Sequence, residues 1–358
     1  MTDTPAPSAP LVSVLMVSYY SARLARRALD HLAAQDRRDF EVVLVENGVG
    51  DGAWAHEEAA RRAFPITVLT PPENLGFAAG NNLAARHARG PWLALLNPDA
   101  FPDPDWLSSL LAAAERHPPG TAFGSVQVNA AEPGLLDGVG DCWCPLGLAW
   151  RGGHRAPIET APTEDRGVLA PCAAAALWAR ADFVALGGFA ERYFCYMEDV
   201  DLALRHRLRG GRCVTVAAAR VRHVGSGTTA RHSVFGIEHD RRNALWTVVR
   251  TTPAAWFWPL LPLQALAHGL MLARAARHGG FGAAWRGLRE GLAALPGPDG
   301  VWADRRAIQA QRTASLWTLA RAVTWNPVRL LWRGAKTWPP ETERGGPQRG
   351  KAHERADG

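Results

Sequence analysis

The sequence predicts an α/β fold, a mainly parallel sheet flanked by helices, followed by a helical, Trp- and Arg-rich C-terminal extension. Three observations predict it. Short, continuous apolar runs alternate with helical patterns through the first hundred residues. Each run stops at polar or turn-forming residues. After residue 240 the charge balance reverses: residues 1–240 hold 22 Lys+Arg against 27 Asp+Glu, and residues 241–358 hold 18 against 7 together with nine of the fifteen tryptophans.

The elements follow in order. LVSVLMV (11–17) is a continuous apolar run, as a strand buried on both faces should be. Leu24, Ala28, Leu29 and Leu32 then recur at helical spacing. FEVVLVE (40–46) is a second strand, residues 53–63 a helix, and ITVL (66–69) a third strand. Residues 77–89 are helical and WLALL (92–96) is a fourth strand. This rhythm implies right-handed crossovers and a parallel sheet, whose carboxyl edge is where ligands bind. That edge carries Ser18-Tyr19-Tyr20, Glu46-Asn47-Gly48 and Asn97-Pro98-Asp99. AFGSVQV (122–128) is strand-like, and residues 130–168, rich in Gly, Pro and Trp, read as loops and short hairpins. Order resumes at CAAAALWARADF (172–183), and LGGF (186–189) is a turn. Residues 200–209 read as a helix, RCVTV (212–216) as a strand, and RVRHVGSGTT (220–229) as a strand entering a Gly-rich loop.

The chain of 358 residues, 47% hydrophobic and 21% charged, has the composition of one large or two modest folded domains. Met1 to Pro10 has no basic start and no apolar core, so no signal peptide is expected there. Cys142 and Cys144 have no second pair or His cluster to complete a zinc site, and the five cysteines read as reduced thiols of a cytosolic protein. Between Arg250 and Arg274 there is no charged residue. That stretch is long enough for a span, which takes about 20 residues. Pro253, Pro259, Pro262, Gln264 and His268 interrupt it, and Trp256, Phe257 and Trp258 flank one end as interfacial anchors do. A helix lying on the membrane, a span and a buried helix all stay open.

Several stretches carry candidate chemistry. In LALLNPDAF (93–101), Pro98 ends the strand and presents Asp99, which suits a divalent-cation ligand or a helix-capping acid. In ENLGFAAGNN (73–82), Gly76 and Gly80 permit close backbone approach, while Asn74, Asn81 and Asn82 offer neutral hydrogen bonds; an ordinary strand-to-helix connection reads the same way. Glu46 ends the second strand, where an acid takes ribose hydroxyls or a base N–H, or simply sits in a solvated turn. His223 is either a further metal ligand or a satisfied polar residue.

The order and spacing of VSVLMVSYYS, FEVVLVENG, ENLGFAAGNN, LLNPDAF, LGGFAERYFCYMEDVDLALR and RHVGSGT resemble the inverting glycosyltransferases of family 2, which have the Rossmann-like GT-A fold. NPDA and the GGF…YFCYMEDVDL block are most similar to the rhamnosyltransferase-like branch. The resemblance spans residues 11–245 and implies a nucleotide-sugar donor site that includes Ser18, Tyr19, Glu46, Asn74, Gly76, Asn82, Asn97 and Asp99. It implies Asp99 and His223 as ligands of Mg2+ or Mn2+, Asp199 as the general base with Glu198 beside it, and Cys172, Ala173 and Arg242 on the acceptor side. Glu46 stands where the family has Asp and Tyr20 where Asn is common. The branch implies dTDP-L-rhamnose as donor, with a UDP-sugar second, and a cell-surface glycan or polyprenyl-diphosphate-linked acceptor.

Within YFCYMEDVDLALR (193–205) the three acids then take separate roles. Asp201 lies four residues before Arg205, the spacing of a helical ion pair. Glu198 is placed to cap the helix start or steady its neighbour. Asp199 is left as the base, at the positive end of the helix dipole. The expected organisation is a disordered start (1–10), a GT-A domain (11–245), a helical membrane-associated extension (246–338) and a disordered tail (339–358). A cytoplasmic enzyme at the inner face of the plasma membrane follows, with no nucleic-acid partner. A sugar nucleotidyltransferase would want a Lys/Arg-bearing Gly-rich loop after the first strand, which Ser18-Tyr19-Tyr20-Ser21 is not. A non-catalytic basic protein binding nucleic acid or membrane is the alternative of another class.

Overall fold

In the computed structural model, which describes residues 9–225 and 233–340, the four apolar runs of the first hundred residues become parallel strands of a 10-stranded sheet. They are β1 (Val12–Ser18), β2 (Phe40–Glu46), β3 (Ile66–Leu69) and β4 (Trp92–Leu96), with α1 (Ala22–Ala33), α2 (Ala53–Arg61) and α3 (Gly76–His87) as the crossovers. Every residue of β1 and β2 is buried, which is why those runs do not alternate. The buried stripe of α1 is Ala25, Ala28, Leu29 and Leu32; Leu24 lies at its margin.

The second half mixes antiparallel and parallel strands. In chain order come β5 (Ala100–Pro102), α4 (Trp106–Arg116), β6 (Thr121–Asn129), β7 (Leu136–Gly138), the hairpin β8 (Asp141–Cys144) and β9 (Leu148–Arg151), β10 (Arg166–Gly167), β11 (Ala175–Ala179), α5 (Arg180–Ala185), α6 (Glu198–Leu208) and β12 (Arg212–His223). The sheet order is β10-β12-β6-β11-β4-β1-β2-β3, with β5 on β12 and β7 on β6. β11 runs antiparallel to both β4 and β6, whereas β12 runs parallel to β6. The two short strands read at 212–216 and 220–229 are one strand, β12, whose register slips between Val216 and Arg220. A bulge of this kind bends a strand without ending it. Residues 226–232, which hold the end of the RHVGSGT stretch, lie outside the described residues, as do 1–8 and 341–358.

The extension is helical: α7 (Val234–Thr251), α8 (Ala254–Arg277), α9 (Phe281–Ala293), α10 (Val301–Ala310) and α11 (Leu316–Ala322). The division expected at 245/246 falls inside α7. That helix reaches the α/β body through Arg250, whose Nε lies 3.3 Å from Asp201 Oδ1. Asp201 also pairs with Arg205 Nε at 2.7 Å and accepts from the Tyr193 hydroxyl at 3.1 Å. Burial acts to raise the Asp201 carboxyl, but Arg250 and Arg205 outweigh it and hold it below its ordinary value. Asp201 is therefore structural, and Arg205 extends the brace by donating to the Leu186 and Gly188 carbonyls of the LGGF turn. The chain's described end is stitched to the sheet edge, where Gly167 N donates to Trp338 O at 2.7 Å.

Helix α8 buries Gln264 and His268 and exposes most of its leucines. Gln264 and His268 face inward with Phe257 and Ala267, and Gln264 Nε2 donates to Pro145 O at 2.9 Å. Burial pulls His268 down to about 4, so its ring is neutral. Trp258, Leu261, Leu263, Leu266 and Leu270 are exposed. No helix among the described residues is long and apolar enough to cross a membrane, which removes the spanning reading of this stretch.

Candidate active site

The Asn97-Pro98-Asp99 turn follows β4 and is closed by Ala100 N donating to Asn97 O at 3.0 Å. Ala100 then begins β5, where it pairs opposite His223 of β12. This register is what joins two residues far apart in sequence. Val224 N donates to Asp99 O at 3.0 Å, and His223 Nε2 lies 3.2 Å from Asp99 Oδ1. Asp103 and Asp105 are not side-chain caps of α4: Asp105 holds the N-cap position without a side-chain hydrogen bond.

The pair suits a divalent ion. Adjacent ligands of an octahedral ion with bonds of about 2.1 Å lie about 3 Å apart, close to the observed His223–Asp99 separation. Asn97 Oδ1 is buried without a hydrogen-bond partner in the same turn. With Asn97 in the same turn, the Asp99 carboxylate and the His223 imidazole offer O and N donors that a divalent ion could take.

Residues that sequence reading left among loops complete this side. Asp137 of β7 accepts from His223 Nδ1 at 2.7 Å, lies 3.2 Å from His154 Nδ1, and pairs with Arg151 at the end of β9. Burial favours the neutral acid, but His154, His223 and Arg151 hold the Asp137 carboxyl far below its ordinary value. Arg151 Nη2 also lies 3.0 Å from Cys172 Sγ, and its Nε lies 4.0 Å from Asp141. Burial pushes the Cys172 thiol up to about 12, so its contact with Arg151 joins a cation to a neutral thiol. Asp141, Cys172 and Asp199 offer ligand atoms within 4.8 Å of one another. Arg151 already supplies a positive charge beside that cluster, and its guanidinium links the Asp99–His223–Asp137 side to the Asp199 side.

Asp199 stands at the start of α6. Its Oδ1 accepts from Val200 N at 2.8 Å and its Oδ2 from Ala173 N at 3.3 Å. Ala173 comes there because β11 pairs with β4, Ala175 opposite Leu96. Burial raises the Asp199 carboxyl, while the two N–H donors and Arg151 oppose the rise. Glu198 is buried, its Oε2 has no partner, and burial followed by the Asp199 charge raises it well above the ordinary carboxyl range. Burial thus favours the neutral form at Glu198 more strongly than at Asp199, whose charge the N–H donors and Arg151 support. The helix-start N–H goes to Asp199, and Glu198 does not cap it.

The segment before α6 is held in an unusual backbone. Phe194, Tyr196 and Met197 have φ of 62°, 69° and 71°, each a conformation that costs about 1–3 kcal/mol in a non-Gly residue. Asn243 of α7 compensates: its Nδ2 lies 3.0, 2.8 and 2.8 Å from the carbonyls of Tyr193, Cys195 and Tyr196. Gly76, at φ 75°, packs against Phe194, and a Cβ there would sit 2.6 Å from that ring.

The donor-side residues divide. Ser18 and Glu46 pair in register at the ends of β1 and β2. Glu46 is fixed, accepting from Gly48 N at 2.7 Å and Trp54 Nε1 at 3.1 Å, while Tyr19 is exposed beside Tyr20. Asn74 accepts from Gly76 N at 2.9 Å. Asn82 braces the LGGF turn: its Nδ2 donates to Phe189 O and its Oδ1 accepts from Phe189 N. Arg242 donates to Tyr193 O at 3.3 Å and lies over the Trp246 ring.

The family model described as "Glycosyl transferase family 2" matches residues 13–139. The chain is 32% identical over 250 residues to an N-acetylglucosaminyl-diphospho-decaprenol L-rhamnosyltransferase of Mycobacterium tuberculosis, covering 62% of this chain and 78% of the relative. It is 32% identical over 234 residues to the O-antigen biosynthesis protein RfbC of Myxococcus xanthus, covering 61% of this chain and 18% of that protein. Among solved structures, the fold is similar to a mannosyltransferase of Pyrobaculum calidifontis in complex with GDP-Man and Mn2+, at TM-score 0.51 and 21% identity over 85% of this chain and 86% of that one. It is also similar to GalNAc-T7 with UDP, GalNAc and Mn2+, at TM-score 0.53 and 16% identity over 66% of this chain and 48% of that one.

Proposed function

The chain belongs to glycosyltransferase family 2, a transferase with the GT-A fold, and on that premise we propose that it moves a sugar, with inversion, from a nucleotide-sugar donor to a hydroxyl of a lipid-linked glycan. The observation that carries this reading is the pairing of His223 with Asp99 at the carboxyl edge of the sheet, with Asp137 and Asp199 both acted on by the charge of Arg151. The first donor is dTDP-L-rhamnose and the second a UDP-sugar. The rhamnosyl relative, whose acceptor is a diphospho-decaprenol by name, supports the first choice and the lipid-linked acceptor.

Inversion requires the two faces of the sugar to be served separately. Asp99 and His223 hold the leaving-group side, where a bound Mg2+ or Mn2+ would neutralise the departing diphosphate. Both structural neighbours named above were solved with Mn2+, in line with this assignment. Asp199 faces the acceptor side and takes the proton from the attacking hydroxyl. Ala173 N–H fixes the carboxylate, Arg151 favours its charge, and Cys172 lines the wall next to it. The test is thermal stability of the full chain against a panel of dTDP-, UDP- and GDP-sugars with and without Mn2+. Saturation at about 100 times Kd stabilises by about 2.7 kcal/mol, so a clear rise in Tm is expected with dTDP-L-rhamnose plus metal. A rise with UDP-sugars alone would overturn the rhamnosyl assignment, and no rise with any would overturn the donor site.

The same reading puts the enzyme at an anionic membrane surface, on its cytoplasmic face. The support is the outward leucine face of α8, which carries no charge before Arg274, within a basic extension. Replacing Leu261, Leu266 and Leu270 together by Gln is expected to reduce flotation with phosphatidylglycerol vesicles at least tenfold, since each buried leucine contributes about 1.5–3 kcal/mol. Undiminished flotation of a stably folded variant would remove α8 from the contact.

A further inference from the structure

We propose that Asp137 is a positioning residue that fixes the tautomer of His223 for metal ligation. The inference rests on the reading of Asp99 and His223 as the metal ligands. A carboxylate can only accept, so the 2.7 Å contact of Asp137 Oδ2 with His223 Nδ1 requires the ring proton on Nδ1. With Nδ1–H held by Asp137, Nε2, the nitrogen 3.2 Å from Asp99, is the atom that can give up its proton and present a lone pair to an ion. Arg151 Nη1 lies 3.3 Å from the same Nδ1, but a guanidinium only donates, and both groups are there because both grip Asp137. Asp99 competes for the ring proton from the other side at the longer distance, so the shorter Asp137 bond decides. His154 and Arg151 in turn hold Asp137 in place. A carboxylate behind a ligating imidazole is a recurring way to orient the ring and raise its basicity.

The residues come from separate parts of the chain. Asp137 lies on β7, which pairs with β6, and His223 lies on β12, on the other edge of β6. Asp137 is 3% exposed, so no substrate contact accounts for its burial with three basic partners.

The test uses the full chain and two readouts. In 15N-histidine NMR under alkaline conditions, wild-type His223 should carry its proton on Nδ1; a proton on Nε2 would overturn the proposal without any variant. Asp137→Leu keeps the branching of the side chain but removes both acceptor oxygens, and should move the proton to Nε2, leaving Asp99 as the remaining acceptor. Mn2+ affinity, read by EPR with dTDP present, should fall about 10- to 100-fold in Asp137→Leu. Asp137→Asn, which still offers a carbonyl oxygen, should recover part of the loss. Wild-type Mn2+ affinity in folded Asp137→Leu, with weakened binding in His223→Gln, would overturn the positioning role alone. Wild-type affinity in His223→Gln as well would overturn the metal-ligand reading and the proposal with it.

Discussion

Asp199→Asn is expected to lower the transfer rate by a factor on the order of 10²–10⁴, the span of a lost general base, with donor affinity unchanged within about twofold. The amide keeps the size of the carboxylate and can keep one of the two N–H contacts, from Ala173 or Val200, so α6 should stay in place. It cannot take a proton from the acceptor hydroxyl. Glu198 is a poor substitute, because it is buried and burial together with the Asp199 charge raises it well above the ordinary carboxyl range. The pH profile supplies a second check. Burial lifts the Asp199 carboxyl above its ordinary value. A base acts only when ionised, so the wild-type rate should fall as pH drops through that raised value, at a higher pH than an exposed aspartate would give. Near-wild-type turnover in Asp199→Asn, with titration calorimetry showing intact donor binding, would remove the base assignment.

The parallel half of the sheet was legible because its physics is local. β1, β2 and β4 are buried on both faces, so their sequences are unbroken apolar runs, and the turn chemistry of Asn-Pro-Asp marks where β4 stops. Asp99 and His223 stand at the ends of recognisable elements, but it was the order of the motifs, and the family resemblance that order carries, that singled them out together with Asp199. Asp137, Asp141 and Arg151 could not be singled out in this way. They lie in strands of three or four residues within a Gly- and Pro-rich stretch, too short to show a period. Their importance comes from partners up to 86 residues away, which only the pairing of β7 with β6 and β6 with β12 brings near. Asn243 was hidden differently. It lies within an ordinary-looking helix, and its role appears only with the left-handed backbone of Tyr196 and Met197 that it holds. The outward leucines of α8 were visible as composition, but which face they occupy depends on Gln264 and His268 being turned inward.

Asp99→Ala is expected to reduce nucleotide affinity measured with Mn2+ to the level measured without it, a loss of about 10- to 100-fold. Metal-free affinity should change little if Asp99 acts on the nucleotide through the ion, as proposed. The geometry argues for a larger effect than at Asn97, whose carbonyl is neutral, since the site's anionic oxygens are what draw a divalent cation. Pairing the substitution with His223→Gln sharpens the result. Two ligands of one ion act as a unit, so their losses in metal-dependent affinity should fall well short of additive. Asp99 caps no helix, and its carboxylate turns toward His223, so a purely structural role predicts a lowered Tm with unchanged metal dependence. That outcome would dissociate the Asn-Pro-Asp turn from the donor site, while the base prediction at Asp199 would stand on its own geometry.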